Sequence, residues 1–316
     1  MVPFMVIPFV SRLDLDAQQA WIDVLSAAMP DEHIVPFATL TPEQKSACHL
    51  AIVADPEPND LLALPALTWV HSVWAGVERM VHELVSPTFS IVRLVDPQLA
   101  DTMSEAVLAW TLFLHRDMPA YAKQQANYRW EQRPMVQAKE RRIGVLGLGE
   151  LGKVSALRLA HNGFSVAGWS RNEKHIAGIT CFDGHEGLVS LLRQSDILVC
   201  LLPLTSETKG LLSRESLAYL PAGAGLINFA RGLIIDDNAL LEKLDQGVVS
   251  HAVLDVFMQE PLPKNHQYWQ HHAVTVLPHI SAPTHLISAS LILADNIKYY
   301  RMTGIIPSCV DVSRGY

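Results

Sequence analysis

The sequence contains few cysteines and no metal-binding motif. The four cysteines among 316 residues are Cys48, Cys181, Cys200 and Cys309, and no two of them form a C-x-x-C pair. This spacing favours free thiols over a zinc ribbon or a disulfide framework. The adjacent His271 and His272 do not belong to an H-E-x-x-H motif, so we interpret them as surface residues and expect no bound metal.

Positive charge and long apolar runs are also scarce. The formal net charge is −8, so the surface lacks the positive field that attracts nucleic acids and anionic membranes. The longest apolar helical stretch, AVLAWTLFL at 106–114, is far too short to span a bilayer. The apolar start MVPFMVIPFV lacks the basic residues of a signal peptide. We therefore expect a soluble cytoplasmic protein that binds neither nucleic acid nor membrane.

What the sequence does contain is two series of alternating strand-like and helix-like segments. In the first series the strand-like runs are 4–9, 33–38, 50–55, 69–73 and 89–94. In the second they are 142–147, 164–169, 196–202, 224–229, 251–257 and 273–277. A long helical pattern at 101–125 separates the two series, and another at 284–303 follows them. This alternation predicts an α/β fold with parallel sheets, in two domains formed by 102–284 and by 1–101 plus 285–316.

A glycine-rich turn opens the second series. Gly147, Gly149 and Gly152 form a G-x-G-x-x-G motif between a strand and a helix. The first glycine permits a tight turn, the second lets the backbone approach a pyrophosphate, and the third lets the helix pack on the strand. The motif alone is a weak signal and also fits an ordinary βα turn. With the strand and helix in place, it predicts that 102–284 is a dinucleotide-binding Rossmann domain whose site includes Glu150 and Leu151.

The acidic residue that usually follows this motif is absent. A carboxylate about 20 residues further on normally accepts the ribose hydroxyls of NAD and repels a 2′-phosphate. Here the chain reads Trp169-Ser170-Arg171, with Lys174 close behind. A hydroxyl and two cations suit a phosphate dianion, which favours NADP (NADPH) over NAD. The alternative is that both cations are ordinary solvated side chains of a loop.

Three polar residues stand near the ends of later strands. Arg231 lies in NFARG, Glu260 in DVFMQEPLP and His279 in LPHISAPT. Ligands of a doubly wound sheet bind at the carboxyl ends of its strands, so together the three residues are candidates for a catalytic group. Individually, the arginine is also explained as a strand cap, the glutamate as a surface acid, and the histidine as a buried, hydrogen-bonded side chain.

These segments, together with LLPLTSETKGLL at 201–212 and SVWAGVERM at 72–80, resemble the D-2-hydroxyacid dehydrogenase family. The cofactor loop Trp-Ser-Arg, MSEAVL at 103–108 and the terminal RGY at 314–316 resemble its glyoxylate/hydroxypyruvate reductase A branch. The resemblance covers nearly the whole chain. It implies two Rossmann-like, flavodoxin-like domains with parallel sheets around an active-site cleft, the domain formed by 1–101 plus 285–316 binding the substrate. It also implies a homodimer.

The resemblance further implies the reduction of a small 2-keto acid, chiefly glyoxylate or hydroxypyruvate, by NADPH. Arg231 would hold the substrate carboxylate and polarise the ketone, a task that suits a planar, permanently charged guanidinium. His279 would protonate the forming alkoxide. Glu260 would hydrogen-bond the other ring nitrogen of the histidine and favour its protonated form.

Other roles also come from the resemblance. The backbone amides of Ala75, Gly76 and Val77 would bind the substrate carboxylate, and Trp74 would either limit substrate size or pack in the core. Asp255 would accept a hydrogen bond from the nicotinamide carboxamide. The remaining cofactor residues would be Leu202, Pro203, Leu204, Thr208, Phe229, Ala230 and Ser281.

Two positions qualify the resemblance. Leu201 stands where many relatives have histidine, which leaves the fit around the adenine open. Trp130 resembles a tryptophan of the dimer loop that reaches the partner's active site in some relatives, but packing within the dimer interface explains it better.

The sequence also bears on several alternative functions. A formate dehydrogenase typically pairs the histidine with glutamine, whereas this chain has Glu260, and a phosphoglycerate enzyme needs cations close to the turn of SVWAGVERM. A short-chain dehydrogenase needs a Tyr-x-x-x-Lys motif, which is absent. A dehydrogenase of a bulkier acid stays open. So does a non-enzymatic nucleotide sensor such as the related corepressors, because such proteins can keep all three candidate catalytic residues.

Overall fold

The computed structural model describes residues 6–84 and 87–312, which form two units. One unit comprises Met1–Gln98 and Thr284–Tyr316, and the other comprises Leu99–Pro283. The RGY segment at 314–316 and the first two positions of the strand expected at 4–9 lie outside the described residues. Both sheets of the chain are parallel and carry helices on both faces, which confirms the predicted α/β class.

The first unit has a five-stranded sheet in the order β2-β1-β3-β4-β5. Its strands are β1 (Val6–Ser11), β2 (His33–Pro36), β3 (Leu50–Ala54), β4 (Trp69–Ser72) and β5 (Ser90–Val92). Its helices are α1 (Leu15–Ala28), α2 (Pro42–Ala47), α3 (Pro58–Leu62), α4 (Glu78–Glu83) and the C-terminal α11 (Leu286–Thr303).

Both faces of this sheet are covered. Phe9 of β1 packs in a cluster with Trp21 of α1 and Leu293 of α11, whereas the next residue, Val10, packs on the opposite face with Met80 of α4. All five residues of β3 are buried, because its side chains meet helices on either side. Burial on both faces explains why this strand reads as a continuous apolar run.

The second unit has a seven-stranded sheet in the order β12-β11-β10-β9-β6-β7-β8. Its strands are β6 (Arg142–Leu146), β7 (Ser165–Ser170), β8 (Thr180–Asp183), β9 (Ile197–Cys200), β10 (Ala224–Asn228), β11 (Val249–Leu254) and β12 (Val274–Val276). Its helices are α5 (Pro97–His115), α6 (Met118–Ala126), α7 (Glu150–His161), α8 (Gly184–Gln194), α9 (Arg214–Leu217) and α10 (Asp237–Asp245). The first turn of α5 begins two residues before Leu99, the first residue of this unit.

The helices of the second unit cover both faces of its sheet. Val145 of β6 packs with Val107 of α5 and Leu159 of α7, whereas the next residue, Leu146, packs on the other face with Leu191 of α8. The strand order changes direction between β6 and β9, since the chain builds outward from β6 first on one side and then on the other. Such a switch point opens a crevice at the carboxyl ends of the strands.

Two sequence expectations need correction here. The strand β8 was not predicted, because its ends are exposed and only Cys181 and Phe182 are partly buried, so no apolar run marks this edge strand. The helical pattern at 101–125 is two helices rather than one. Asp117 adopts a left-handed φ of 55° between them, and Pro119 in the first turn of α6 has no N–H to continue α5.

Within 6–84 and 87–312, no helix combines the length and the apolar character that crossing a bilayer requires.

Candidate active site

The predicted site residues of the second unit lie on the loops that leave its sheet at the carboxyl edge. Because all seven strands are parallel, these loops leave the sheet on the same side. The glycine turn follows β6, Ser170 ends β7, the segment 201–208 follows β9, Arg231 follows β10, Asp255 and Glu260 follow β11, and His279 follows β12. The fold thus gathers residues that are up to 132 positions apart in the chain, from Gly147 to His279.

The three motif glycines have different structural requirements. Gly147 has a φ of +97°, and a Cβ there would lie 2.8 Å from the carbonyl oxygen of Leu201. A Cβ on Gly152 would lie 1.7 Å from the carbonyl oxygen of Gly147, so these two positions require glycine for the fold itself. A Cβ on Gly149 would meet no atom within 4 Å. The space beside Gly149, next to the first residue of α7, Glu150, is therefore open to a ligand.

The end of β7, Trp169-Ser170-Arg171, carries a cation and no carboxylate, whereas the loop beyond it holds both Glu173 and Lys174. Trp169, at the usual acidic position, is buried, and its indole N–H donates to the carbonyl of Gly184 over 2.8 Å. The Ser170 hydroxyl donates to the carbonyl of Asn172 over 2.8 Å. Lys174 Nζ donates to the carbonyl oxygen of Leu148, inside the glycine turn, over 3.0 Å. The lysine is therefore tied to the turn that the sequence assigns to the pyrophosphate.

Arg171 makes an ion pair with a residue that the sequence analysis did not single out. Its Nη1 lies 3.0 Å from Oε2 of Glu207, on the loop after β9. The two residues are 36 positions apart and belong to loops of different strands, so no local pattern in the sequence marks the contact.

Several of the predicted cofactor residues have side chains that pack in the core or form hydrogen bonds within the protein. Leu202, Phe229 and Ala230 are buried in the hydrophobic clusters of the unit, and Leu151 is partly buried against one of them. The Thr208 hydroxyl donates to the carbonyl of Pro203 over 2.7 Å, which closes a turn. Any contact that the buried residues make with a cofactor would have to use their backbone atoms.

His279 and Glu260 are in direct contact. His279 Nδ1 lies 2.7 Å from Oε2 of Glu260, and the other carboxylate oxygen accepts the N–H of Phe257 over 2.9 Å. The histidine side chain is 55% exposed, and its Nε2 forms no hydrogen bond with any described residue. One ring nitrogen is thus fixed by the carboxylate while the other is accessible to a substrate.

The charges of the site favour a protonated histidine beside an ionised glutamate. The hydrogen bond to Glu260, together with the charges of Glu260 and Asp255, raises the pKa of His279 against the opposing effects of burial and Arg231. Burial alone would raise the pKa of Glu260, but the hydrogen bonds from His279 and Phe257 and the charges of His279 and Arg231 hold it below its usual value. Both shifts favour an imidazolium that can donate a proton.

Arg231 is brought to this pair by a close backbone contact. The residue after it is Gly232, and a Cβ there would lie 1.9 Å from the carbonyl carbon of Phe257. The loops after β10 and β11 therefore touch backbone to backbone, which places Arg231 close enough to act on the pKa of both His279 and Glu260. Its Nη1 also donates to the carbonyl of Ala230 over 2.7 Å.

Asp255 holds the histidine loop, a contact that the sequence did not reveal. Its two carboxylate oxygens accept the N–H groups of Ile280 and Ser281 over 2.7 and 2.9 Å. His279 itself has a φ of +54°, in the left-handed region that non-glycine residues rarely adopt. The buried carboxylate thus fixes a strained backbone directly after the histidine. The buried hydroxyl of Ser281 has no hydrogen-bond partner among the described residues.

The residues expected to bind the substrate from the first unit form the loop after β4. Trp74 is half-buried against the cluster that contains Trp69 and Leu94, and Val77 is buried on the opposite face of the sheet. Within the described part of the chain, the N–H groups of Ala75, Gly76 and Val77 donate no hydrogen bond. Three uncommitted amides in sequence are suited to binding an anion.

Among the described residues, no three or more His, Cys, Asp or Glu side chains are grouped to hold a metal ion. One expectation about the adjacent histidines is corrected. The rings of His271 and His272 stack with centroids 5.1 Å apart, but the His271 side chain is only 11% exposed and contacts Asp245, because it packs under the end of α10.

Several known proteins resemble this chain over most of its length. The family model described as D-isomer specific 2-hydroxyacid dehydrogenase, NAD binding domain, matches residues 108–281, more than half of the chain. A D-isomer specific 2-hydroxyacid dehydrogenase from Xanthobacter autotrophicus Py2, crystallised with NADPH and MES, is 36% identical, with a TM-score of 0.91 over 98% of this chain and 99% of that one.

Two further solved structures are similar over the same lengths. The NADPH-dependent glyoxylate/hydroxypyruvate reductase of Sinorhizobium meliloti, in complex with NADP and sulfate, is 29% identical with a TM-score of 0.89 over 98% of this chain and 99% of that one. A probable 2-hydroxyacid dehydrogenase from Rhizobium etli CFN 42, in complex with NADP, HEPES and L(+)-tartaric acid, is 28% identical with a TM-score of 0.89 over the same shares.

Proposed function

The chain belongs to the D-isomer specific 2-hydroxyacid dehydrogenase family of oxidoreductases, and we propose that it reduces small 2-keto acids, chiefly glyoxylate and hydroxypyruvate, with NADPH. The observation that carries the proposal is the hydrogen-bonded pair of His279 and Glu260, with Arg231 beside it at the carboxyl edge of the nucleotide-binding sheet. An acid, its supporting carboxylate and a fixed cation are what the reduction of a keto acid requires from the protein.

The residues present fit a phosphorylated dinucleotide. The open space beside Gly149 admits a pyrophosphate, and the loop after β7 offers Arg171 and Lys174, with Trp169 instead of a carboxylate at the usual acidic position. When bound, the nicotinamide supplies the hydride. The NADPH and NADP complexes of the similar proteins from Xanthobacter, Sinorhizobium and Rhizobium support the choice of NADP over NAD.

The polar side chains of the site then divide the work of the reaction. Arg231 binds the carboxylate of the keto acid and polarises its ketone oxygen, since a guanidinium donates two parallel hydrogen bonds and stays charged at any physiological pH. His279 donates a proton from Nε2 to the forming alkoxide. Glu260 keeps Nδ1 protonated and stabilises the imidazolium, and Asp255 keeps the backbone of the histidine loop in place.

The uncommitted amides of Ala75, Gly76 and Val77 are proposed as a further binding site for the substrate carboxylate. Trp74, half-buried beside them, is proposed to disfavour bulky 2-keto acids. We also propose a cytoplasmic location, because all four cysteines are unpaired, as expected in a reducing compartment.

A homodimer is part of the proposal. Tyr128 and Trp130 are each 99% exposed, and Met135 is 76% exposed, on a segment without helix or strand after α6. Large apolar side chains grouped at a surface mark a protein–protein interface. A molar mass near twice 35.0 kDa in light scattering would support a dimer, and a monomer that persists at micromolar concentration would contradict it.

Steady-state kinetics with a panel of 2-keto acids test the function directly. NADPH should be oxidised with glyoxylate and hydroxypyruvate, with a lower kcat/KM for bulkier acids and for NADH. No turnover with any acid, despite tight nucleotide binding, would instead indicate a nucleotide sensor that keeps the fold. A preference for a bulky 2-keto acid would agree with the proposed reduction but would refute glyoxylate and hydroxypyruvate as the main substrates.

A further inference from the structure

A carboxylate from another loop meets the cation at the end of β7. Glu207 lies after β9 and Arg171 after β7, and their side chains meet over 3.0 Å. In the sheet, β6 stands between these two strands, so the ion pair joins the loops on either side of the glycine turn. We infer that Glu207 is a specificity-determining residue for the cofactor, one that restrains the preference for NADPH over NADH. This inference rests on the proposed function.

The backbone that carries Glu207 is fixed by its neighbours. The N–H of Thr205 donates to the Thr208 hydroxyl over 2.8 Å, and that hydroxyl donates to the carbonyl of Pro203 over 2.7 Å. These bonds close a turn around Glu207. The Glu207 side chain is 62% exposed, and Arg171 is its ion-pair partner among the described residues. The carboxylate is therefore held at the guanidinium by a hydrogen-bonded turn and stays within reach of a ligand there.

The charge of Glu207 acts oppositely on the two cofactors. The 2′-phosphate of NADPH must share the guanidinium of Arg171 with a carboxylate and also meets its repulsion. NADH instead presents a 2′-hydroxyl, from which a carboxylate accepts a hydrogen bond, as the acidic residue at the end of the second strand does in NAD-binding proteins. Glu207 thus weakens the binding of NADPH without weakening that of NADH. An exposed ion pair of this kind is expected to change affinity by up to about fivefold.

The matched comparison is between E207Q and E173Q. Glu173 lies two residues from Arg171 on the same loop, is 72% exposed, and contacts His175 over 3.4 Å. Its substitution removes the same charge from the same neighbourhood without removing the partner of Arg171. Dissociation constants for NADPH and NADH, measured by the change in nucleotide fluorescence on binding, need no turnover.

The expected result is that E207Q binds NADPH about fivefold more tightly than the wild type, with NADH binding unchanged or weaker. E173Q should alter both constants less than about twofold, since the exposed carboxylate of Glu173 contacts His175 rather than Arg171 and its charge is screened by solvent and salt. In an R171Q background the effect of E207Q on NADPH should become smaller, because the guanidinium that the phosphate and the carboxylate share is gone and only their mutual repulsion remains.

Three outcomes would overturn the inference alone: no change in E207Q, an equal change for NADPH and NADH, or the same change in E173Q. If the wild type bound neither nucleotide, the proposed function would fail and the inference with it. If the wild type binds the nucleotides and E207Q binds them with the same dissociation constants, only the role of Glu207 is refuted.

Discussion

His279 and Glu260 share a hydrogen bond of 2.7 Å between Nδ1 and Oε2, and this contact sets the protonation of the site. It raises the pKa of the histidine and orients the ring with Nε2 exposed. The proton donor for reduction is therefore the imidazolium, stabilised by a neighbouring carboxylate rather than by isolation from water.

Replacing Glu260 with glutamine should narrow the pH range of the reductase at its alkaline end. The rate of reduction is lost as the pH rises through the pKa of His279, and the neutral amide no longer holds that pKa above its ordinary value. The alkaline limb of the kcat/KM profile should therefore shift to lower pH. Asp245→Asn is the matched control, because it removes a carboxylate 3.3 Å from another histidine, His271. If the pH profile of kcat/KM is the same for Glu260→Gln and the wild type, Glu260 does not stabilise the protonated form of His279.

Replacing Asp255 with asparagine should loosen the histidine loop. An amide oxygen can accept from either Ile280 or Ser281, but the amide nitrogen would then face the other N–H, which is left unpaired in a buried position. The expected cost is about 1–3 kcal/mol of stability, with a lower kcat, since His279 loses its fixed φ of +54°. Thermal unfolding and kcat check the two effects. If the Asp255→Asn variant unfolds at the same temperature as the wild type and has the same kcat, Asp255 does not position this loop.

Alanine at Gly149 and at Gly152 should have different effects. At Gly152 the new Cβ would collide with the carbonyl oxygen of Gly147 at 1.7 Å, and the overpacking should destabilise the fold by about 1–3 kcal/mol or more. At Gly149 the Cβ meets nothing and the φ of −74° suits any residue, so the fold should keep its stability. NADPH affinity should nevertheless fall about tenfold or more, equivalent to about 1.4 kcal/mol.

Calorimetric unfolding and NADPH titration of the two variants separate these effects. Wild-type affinity in a folded Gly149→Ala variant would show that the open space beside the turn is not the pyrophosphate site.

The first unit should lose stability in acid because of His71. This histidine belongs to β4 and is fully buried against α11, where its Nδ1 donates to the carbonyl of Ser72 over 2.9 Å and its Nε2 accepts from Asn296 over 2.8 Å. Burial lowers its pKa to about 4. Between pH 6.5 and 4 the unfolded chain binds a proton that the folded chain does not, so the stability falls as the pH falls, by up to about 3 kcal/mol.

Urea unfolding, monitored by tryptophan fluorescence at pH 7 and at pH 4.5, measures this loss of stability. His71→Gln keeps an amide donor and acceptor without a titrating group, and should lose less stability on acidification than the wild type. The exposed His272→Gln is the control and should behave as the wild type does. An identical pH dependence in His71→Gln would mean that other groups, such as the buried His251, account for the effect.

The sequence predicted those features that a local pattern carries. The glycine turn, the continuous apolar strands and the polar residues at strand ends are each visible within a few positions, and the α/β class follows from their alternation. The edge strand β8 has no such pattern, since only Cys181 and Phe182 of it are partly buried. The break at Asp117 was hidden because apolar residues continue on both sides of it.

The contacts that hold the site together could not be predicted from short stretches of the sequence. Asp255 binds a loop 25 residues away, and Glu207 meets Arg171 across 36 residues. Neither spacing is fixed by a helix or strand period, because each contact depends on two loops that the sheet brings to one edge. The sequence could propose which residue types belong to the site, whereas their partners required the fold.

The most direct test of the central claim follows the hydride itself. Wild-type protein is mixed with glyoxylate and NADPH that carries deuterium at both C4 positions, and the product is examined by mass spectrometry. Glycolate with one deuterium on C2 is the predicted product, with a rate about 10²- to 10⁴-fold lower in a His279→Ala variant that still binds NADPH. Glycolate without deuterium, or an undiminished rate in that variant, would contradict the assignment of this site.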